Sequence, residues 1–192
     1  MRVSERTESG YGACYFYYFI EHDSSITWEK LMAARKAKKR SSAKKSSGDA
    51  VSLLKADHRQ VEQWFEAFEK TKSDSRKLDL AKKICDALTV HTQIEEEIFY
   101  PAFIEATQDK DMHHEAEVEH SGAKDLIAQI KGSGPDDDYY DAKVHVLSEM
   151  IKHHVNEEEQ RGGMFAEAKK SDMDLVALGE QLRARKKELI AT

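Results

Sequence analysis

Two copies of the pattern His-x-x-x-Glu carry the side chains with the clearest potential for chemistry in this sequence. They are His91 with Glu95, and His154 with Glu158. Residues four apart lie one turn apart on the same face of an α-helix. Each pair continues an apolar stripe at helical spacing, formed by Leu80, Ile84 and Leu88 before the first pair and by Val144, Leu147 and Ile151 before the second. An imidazole and a carboxylate at such core positions are costly unless a partner such as a metal ion satisfies them.

The two pairs belong to a longer repeat, because His58 precedes His91 by 33 residues and His120 precedes His154 by 34. Each half predicts a helix with one histidine, a turn, and a helix with the His-x-x-x-Glu pair. Two such antiparallel hairpins, packed face to face, would bring four histidines and two glutamates to one level. Imidazole and carboxylate without thiolate suit iron or manganese better than a structural zinc ion. The two carboxylates could bridge a pair of such ions.

These residues resemble the hemerythrin-like family, also called the HHE cation-binding domain. The resemblance covers roughly residues 50 to 170 and is carried by Asp57-His58, the stretch from His91 to Pro101, Glu119-His120, and the stretch from His153 to Glu159. It implies an all-α, antiparallel up-down four-helix bundle that holds a non-haem di-iron centre, with two iron ions as the cofactor.

Seven residues are the predicted metal ligands: His58, His91, Glu95, His120, His154, Glu158 and Glu117. His58 or His120 taken singly would be expected to be a hydrogen-bonded core histidine. Because four histidines and two glutamates are expected at the same level of the bundle, metal binding is the favoured interpretation for these residues.

The third predicted helix departs from the oxygen-carrying members of the family, which place two histidines four residues apart on it. The positions four away from His120 are Ala116 and Lys124. Glu117 and His113 lie on nearly the same face as His120, so either one could complete the ligand set. If neither does, one ion keeps an open or water-filled position.

Several neighbours have less specific interpretations. The apolar stripe leads to His154 and not to His153, so His153 is expected to point elsewhere. Glu96 and Glu97 are expected to face solvent or to accept hydrogen bonds from ligand imidazoles. Tyr100 could donate a hydrogen bond to a bound oxygen species, although a packing role is the simpler interpretation.

The chain divides into three segments. Residues 1–48 are predicted to be a poorly ordered extension with a basic, low-complexity stretch at 35–45, residues 49–170 the HHE domain, and residues 171–192 a C-terminal helix on the bundle. Synthesis starting at Met32 is an alternative for the first 31 residues. The basic stretch has no aromatic residue to stack on bases, so nucleic-acid binding is the weaker interpretation.

Turn and capping residues predict where the helices begin and end. The first should begin near Ser47 to Asp49, and the second should run from Asp74 to Tyr100, with a break or kink at Pro101. The third should span Lys110 to Lys131 before Gly132, and the fourth should start at residues 136–138 and reach Glu159. A capping box from Ser171 to Asp174 should open the fifth helix.

Composition restricts the class of protein. The 192 residues are 34% charged and 40% hydrophobic, with only two prolines, which favours a largely helical domain. The net charge of −6 argues against general affinity for nucleic acid, and no apolar run is long enough to span a bilayer. Two cysteines make no disulfide framework, so a reducing cytoplasm is expected.

The function expected from these observations is binding or sensing of dioxygen, peroxide or nitric oxide at a di-iron centre, with roles in oxidative or nitrosative stress or in iron handling. Whether the protein is an enzyme stays open, because the same centre could dismutate peroxide or oxidise iron. A third interpretation is a metal-regulated interaction module, in which iron orders the bundle and the fifth helix or the basic stretch contacts a partner. A homo-oligomer is compatible with that helix, and no membrane partner is expected.

Overall fold

The computed structural model describes residues 48–191, and all the regular structure in that range is helical. The predictions for the N-terminal extension, including the basic stretch at 35–45, therefore lie outside the described residues. The elements are α1 (Ala50–Lys70), α2 (Asp74–Ile94), a π-helical segment (Glu95–Phe99), α3 (Tyr100–Thr107), α4 (Lys110–Lys131), α5 (Tyr140–Glu159), α6 (Met164–Lys170) and α7 (Leu175–Ala191).

Four long helices form the predicted bundle. Helix α1 packs on α2, α2 on α4, α4 on α5, and α5 on α1, so that each contacts two neighbours around a common interior. Short connections between α1 and α2 and between α4 and α5 make each of these pairs antiparallel. Helix α7 lies against α1, α2 and the π-helical segment. The all-α, antiparallel four-helix bundle expected from the sequence is confirmed.

Aspartates cap two of the long helices, the first of them within the predicted capping region at residues 47–49. The Asp49 carboxylate accepts a hydrogen bond of 2.8 Å from the backbone N–H of Ser52, which caps α1. Asp109 caps α4 in the same way through the N–H of Met112.

Helix α5 begins later than predicted, at Tyr140. The acids at residues 136–138 lie in a turn instead of a helix. Asp137 accepts hydrogen bonds from the Tyr139 N–H, at 2.9 Å, and from the Lys143 ammonium, at 2.6 Å. These bonds satisfy the carboxylate outside the helix, so the acids stabilise the turn that leads into α5.

The predicted break at Pro101 is replaced by a π-helical segment immediately before it. The N–H of Tyr100 bonds to the carbonyl of Glu95, five residues earlier, and α3 then continues to Thr107. Proline lacks an N–H, and its ring crowds the carbonyl four residues earlier in an α-helix. A wider π turn relieves that crowding, so the chain passes Pro101 without ending.

The start of α7 also differs from the prediction. Asp174, and not Ser171, caps it by accepting a 2.9 Å hydrogen bond from the Ala177 N–H. Ser171 ends the short helix α6, which the sequence analysis did not predict. Among the described residues, no helix is long and apolar enough to cross a membrane.

The apolar interior consists of two clusters at different levels of the bundle. One contains residues of α1, α2, α4 and α5, among them Val61, Leu88 and Ala123. The other includes Leu54, Ile94 and Ala116, together with residues of α6 and α7. Along α1, α2 and α4, a layer of buried polar side chains lies between residues of the two clusters, and buried polar residues of α5 join this layer.

Candidate metal centre

Six of the seven predicted ligands form this buried polar layer. Each exposes at most 4% of its surface, and they are His58 on α1, His91 on α2, Glu95 at the start of the π-helical segment, His120 on α4, and His154 with Glu158 on α5. Four helices thus each supply one histidine at the same level, and two of the chain segments add a glutamate one turn further on.

The first half of the layer is built around His58 and His91. Their Nε2 atoms are 3.0 Å apart. The Oε2 atom of Glu95 lies 3.2 Å from Nε2 of His91, and Oε2 of Glu158 lies 3.4 Å from Nε2 of His58. Ligand atoms of His58, His91 and Glu95 all lie within 4.8 Å of one another, so the three residues could hold a metal ion.

The second half repeats this arrangement with His120 and His154, whose Nε2 atoms are 3.2 Å apart. Oε2 of Glu95 lies 3.5 Å from His120, and Oε2 of Glu158 lies 3.8 Å from His154. Glu95, His120 and His154 form a second group that could hold a metal ion. Both glutamates therefore lie between the two histidine pairs.

A carboxylate lies at the outer nitrogen of every one of these imidazoles. Nδ1 of the histidines faces Glu159 from His58 (2.8 Å), Glu96 from His120 (3.0 Å), Glu119 from His154 (2.7 Å) and Asp57 from His91 (3.6 Å). At His58, His120 and His154 the carboxylate is close enough to accept a hydrogen bond from Nδ1–H, which fixes the tautomer and leaves the Nε2 lone pair facing inward. Four inward lone pairs and two carboxylates form a donor set for cations.

Unpartnered atoms support the same interpretation. Both carboxylate oxygens of Glu95 and Oε2 of Glu158 are buried without a hydrogen-bond partner. Buried polar groups are normally paired, and an unpaired carboxylate is especially costly. Metal cations placed between the histidine pairs would satisfy these oxygens and the facing imidazole nitrogens together.

The pKa values of the buried carboxylates and imidazoles indicate that the site favours the binding of positive charge. Burial raises the pKa of Glu158 to about 8, and the negative charge of Glu95 adds to the effect. Burial opposes protonation of His91, but Glu95 and Asp57 raise its pKa to about 10. Without a bound metal, the His91 imidazole is therefore protonated beside Glu95. Burial lowers the pKa of His58 and of His120 to about 4, which keeps both imidazoles neutral.

Tyr100 points its hydroxyl group into the polar layer. The oxygen lies 3.2 Å from Nε2 of His120 and donates to Oε1 of Glu158 at 3.3 Å. Burial, with the charges of Glu95 and Glu158, raises the pKa of the phenol well above its ordinary value, so it stays protonated. The π-helical segment directs this side chain, because it shifts the residues after Glu95 around the helix axis.

The seventh predicted ligand, Glu117, lies elsewhere. Its side chain is 54% exposed and lies 3.5 Å from Nε2 of His113 on the surface of α4. His113 itself packs edge-on against the Tyr100 ring at 5.7 Å. His153, also on the surface, contacts Glu119 at 3.3 Å. None of these three side chains joins the two groups that could hold a metal.

The sequence analysis considered Glu96 as an acceptor for a ligand imidazole but did not assign Asp57, Glu119 or Glu159 that role. A signal was present, since each acceptor is directly adjacent in sequence to a ligand on its own helix. The acceptors and their neighbouring ligands are Asp57 beside His58, Glu96 beside Glu95, Glu119 beside His120, and Glu159 beside Glu158.

A small cavity connects the layer with the surface between α4 and the end of α5. Its volume is about 150 Å³, and its lining includes the ligands His154 and Glu158 together with Ala116, Met112 and Gly163. Ala116 lies one turn before His120 on α4 and is one of the two positions four residues from His120, the other being Lys124. The short side chain leaves space beside the ligands.

Comparison with known proteins agrees with this site. The family model for the hemerythrin HHE cation-binding domain matches residues 49–162. The chain therefore belongs to the hemerythrin HHE cation-binding family, and the six buried histidines and glutamates are its candidate metal-binding residues.

A solved structure supports the fold. The crystal structure of a hemerythrin HHE cation-binding domain-containing protein from Mycobacterium kansasii aligns with 74% of this chain and 87% of its own, with 23% sequence identity and a TM-score of 0.61. At this identity the likeness concerns the fold. No curated protein sequence matches the chain.

Proposed function

We propose that this protein is a non-haem di-iron protein that binds or senses dioxygen, peroxide or nitric oxide, with a role in oxidative or nitrosative stress or in iron handling. The observation that carries the proposal is the pair of facing histidine sets with two shared glutamates. Both oxygens of Glu95 and one of Glu158 are buried without partners.

The arrangement favours two ions of iron over one. His58 with His91, and His120 with His154, each offer two imidazole nitrogens, and both pairs lie within reach of Glu95 and Glu158. Carboxylates between two ligand pairs suit bridging. The donor set has no thiolate, since Cys85 packs in the apolar cluster, and burial raises the pKa of its thiol to about 11.

Iron held by these residues would supply one-electron redox chemistry, in which the ferrous ion gives electrons to a small molecule such as dioxygen or peroxide. The protein supplies the access and the surroundings. The cavity beside Ala116 is large enough for a diatomic molecule or peroxide, and it reaches His154 and Glu158. The Phe165 ring stacks on the His58 ring, with the ring centroids 5.8 Å apart, and Phe99 contacts Phe165. These apolar side chains limit the access of water to the polar layer beside His58.

Blocking the cavity tests this route. Ala116→Leu should leave the iron content unchanged and slow the reaction of the reduced protein with nitric oxide about tenfold, as followed by stopped-flow absorbance. Ala128→Leu places the same side chain on the exposed face of α4 and serves as the control. Equal rates in the wild type and both variants would exclude this cavity as the route.

A peroxide-dismutating enzyme is the second candidate, and the Tyr100 hydroxyl group favours it. This phenol is held protonated within 3.3 Å of Glu158 and His120, where it can donate a proton or a hydrogen bond to a small oxygen-containing molecule. Iron oxidation at the same centre would need no such donor.

Steady-state oxygen release from peroxide by the iron-loaded protein separates the enzyme from the sensor. Tyr100→Phe keeps the ring and removes the hydroxyl group, so it should retain iron and lose about 10²-fold in turnover if the phenol transfers protons. Wild-type protein without turnover would eliminate the enzyme and leave the sensor.

A further inference from the structure

Helix α7 forms two ion pairs with residues next to the metal centre. The Lys186 ammonium donates to Oδ1 of Asp57 on α1. The Arg185 guanidinium donates to both oxygens of Glu97, at 2.7 Å and 3.1 Å. Helix α7 lies after the segment that matches the family model, residues 49–162.

Asp57 is shared between Lys186 and the ligand His91. Its other oxygen, Oδ2, lies 3.6 Å from Nδ1 of His91, whereas the other three imidazoles have their carboxylates at 2.7–3.0 Å. Both facing atoms, Oδ2 of Asp57 and Nδ1 of His91, are buried and have no hydrogen-bond partner in the described structure. The Asp57 carboxylate therefore lies between a cation of α7 and a candidate ligand.

The source of the cation distinguishes Asp57 from the other acceptors. Glu159 is paired with Lys55 and Arg59 of α1, and Glu96 is paired with Lys124 of α4, all within the four-helix bundle. The cation on Asp57 comes from α7 instead. Among Asp57, Glu96 and Glu159, only Asp57 therefore has a cationic partner that lies outside the four-helix bundle.

The second ion pair, between Arg185 and Glu97, attaches α7 to the chain just after the candidate ligands His91 and Glu95. Glu97 lies two residues after Glu95 in the π-helical segment, and Arg185 fixes it with two hydrogen bonds. The interval from His91 to Glu97 is thus attached to α7 through two consecutive residues of that helix.

We propose that α7 is a positioning element of the metal centre, in which Lys186, acting through Asp57, fixes the His91 imidazole and sets both the retention of metal and its reduction potential. The inference rests on the proposed di-iron centre. Carboxylates behind metal-bound histidines orient the ring and raise its basicity. A positive charge on that carboxylate holds it in place and disfavours the more positive, oxidised state of the metal.

Lys186→Met removes the charge and keeps much of the side-chain volume. We expect iron to be lost to a chelator about tenfold faster than from the wild type. The reduction potential, measured by spectroelectrochemistry, should move to more negative values. Lys187→Met on the same helix is the matched control, because Lys187 is exposed and has no hydrogen-bonding or ionic partner among the described residues. Lys186→Arg should restore both properties.

A double variant separates positioning from general packing. If Lys186 acts through Asp57, Lys186→Met should shift the potential in the wild type and leave it unchanged in an Asp57→Asn background. Circular dichroism of each variant checks that the bundle is folded.

The outcomes distinguish this inference from the proposed function. Wild-type protein that binds no iron would refute the di-iron proposal. Wild-type protein that binds iron, with Lys186→Met and Lys187→Met equal in iron loss and in potential, would overturn the role of α7 alone. An equal shift in the Asp57→Asn background would show that Lys186 acts by another route.

Discussion

Each of the four candidate histidine ligands faces an outer carboxylate that is adjacent in sequence to a candidate ligand of another helix. As a result, two consecutive residues contact two different imidazoles. Glu95, for example, lies at Nε2 of His91, and the next residue, Glu96, lies at Nδ1 of His120. A change at one of these positions is therefore expected to affect both histidine pairs.

Glu95 is the single residue on which both groups depend, because it belongs to each of them. Glu95→Gln keeps the shape but removes the charge, so we expect binding of metal at both groups to weaken at least about tenfold. Metal analysis after desalting measures this.

Glu117→Gln is the control and also tests the remaining sequence-based ligand. Its side chain is mostly exposed, so the metal content should equal that of the wild type. Loss of metal in this variant would restore Glu117 as a ligand, and full metal content in Glu95→Gln would contradict the shared site.

The spacing of His91 and Glu95 could be interpreted from sequence because a four-residue interval has one meaning on a helix. The outer carboxylates could not be assigned in the same way. Asp57 and Glu159 are one residue away from a ligand, which places them about 100° around their own helices, where they resemble solvent-facing acids. Only the approach of a neighbouring helix makes them acceptors, and that is tertiary information.

Among the elements, the π-helical segment and α7 have the largest effect on the site. The segment carries Glu95 and orients Tyr100, and α7 packs against it. The sequence predicted a disturbance at Pro101 but not its form. A break, a kink and a π turn all relieve the same crowding at proline, and packing of Phe99 and Tyr100 in the interior favours the turn that keeps both buried.

Close contact at Gly179 holds α7 to the start of α1. A Cβ atom at this position would lie 2.8 Å from the backbone nitrogen of Ala50 and 2.9 Å from the carbonyl carbon of Asp49. Gly179→Ala should therefore push α7 away from α1, lower the melting temperature by several degrees and speed the loss of iron, as Lys186→Met does.

Gly122→Ala on α4 is the matched control for that variant. The added methyl group would meet only the mobile end of the Met150 side chain, and alanine favours the helix by about 1 kcal/mol. Thermal unfolding of both variants by circular dichroism should give opposite shifts, and a Gly179→Ala protein as stable as the wild type would contradict this packing.

At the scale of the whole molecule, a charged layer separates two apolar clusters. The bundle was predictable because apolar stripes at helical spacing specify four amphipathic helices, as Leu54, His58 and Val61 illustrate on α1. A C-terminal helix on the bundle was expected from sequence, but the leucines of α7 alone do not predict where on the bundle this helix lies. Its position depends on the contact at Gly179 and on ion pairs to Asp57 and Glu97.

The metal-free protein should be sensitive to acid. Burial lowers the pKa of His58 and of His120 to about 4, so between pH ~6.5 and ~4 the unfolded chain binds two protons that the folded chain does not, and stability falls as pH falls. Glu158, whose pKa is raised to about 8, opposes this with one proton. His91, whose pKa is raised to about 10, contributes a nearly constant amount in this window.

The melting temperature of the metal-free protein is therefore expected to decrease between pH ~6.5 and ~4. Differential scanning fluorimetry across this range measures the trend. A melting temperature that is constant or rises toward acid would show that the two buried imidazoles are not neutral in the folded state.

The most direct test of the metal centre is the iron content of protein purified from its own host, determined together with its absorption spectrum in air and under reductant. The account predicts about two irons per chain and an oxo-to-iron charge-transfer band that disappears on reduction. Protein that is folded and fully helical but binds no metal, even when reconstituted with ferrous iron, would contradict it.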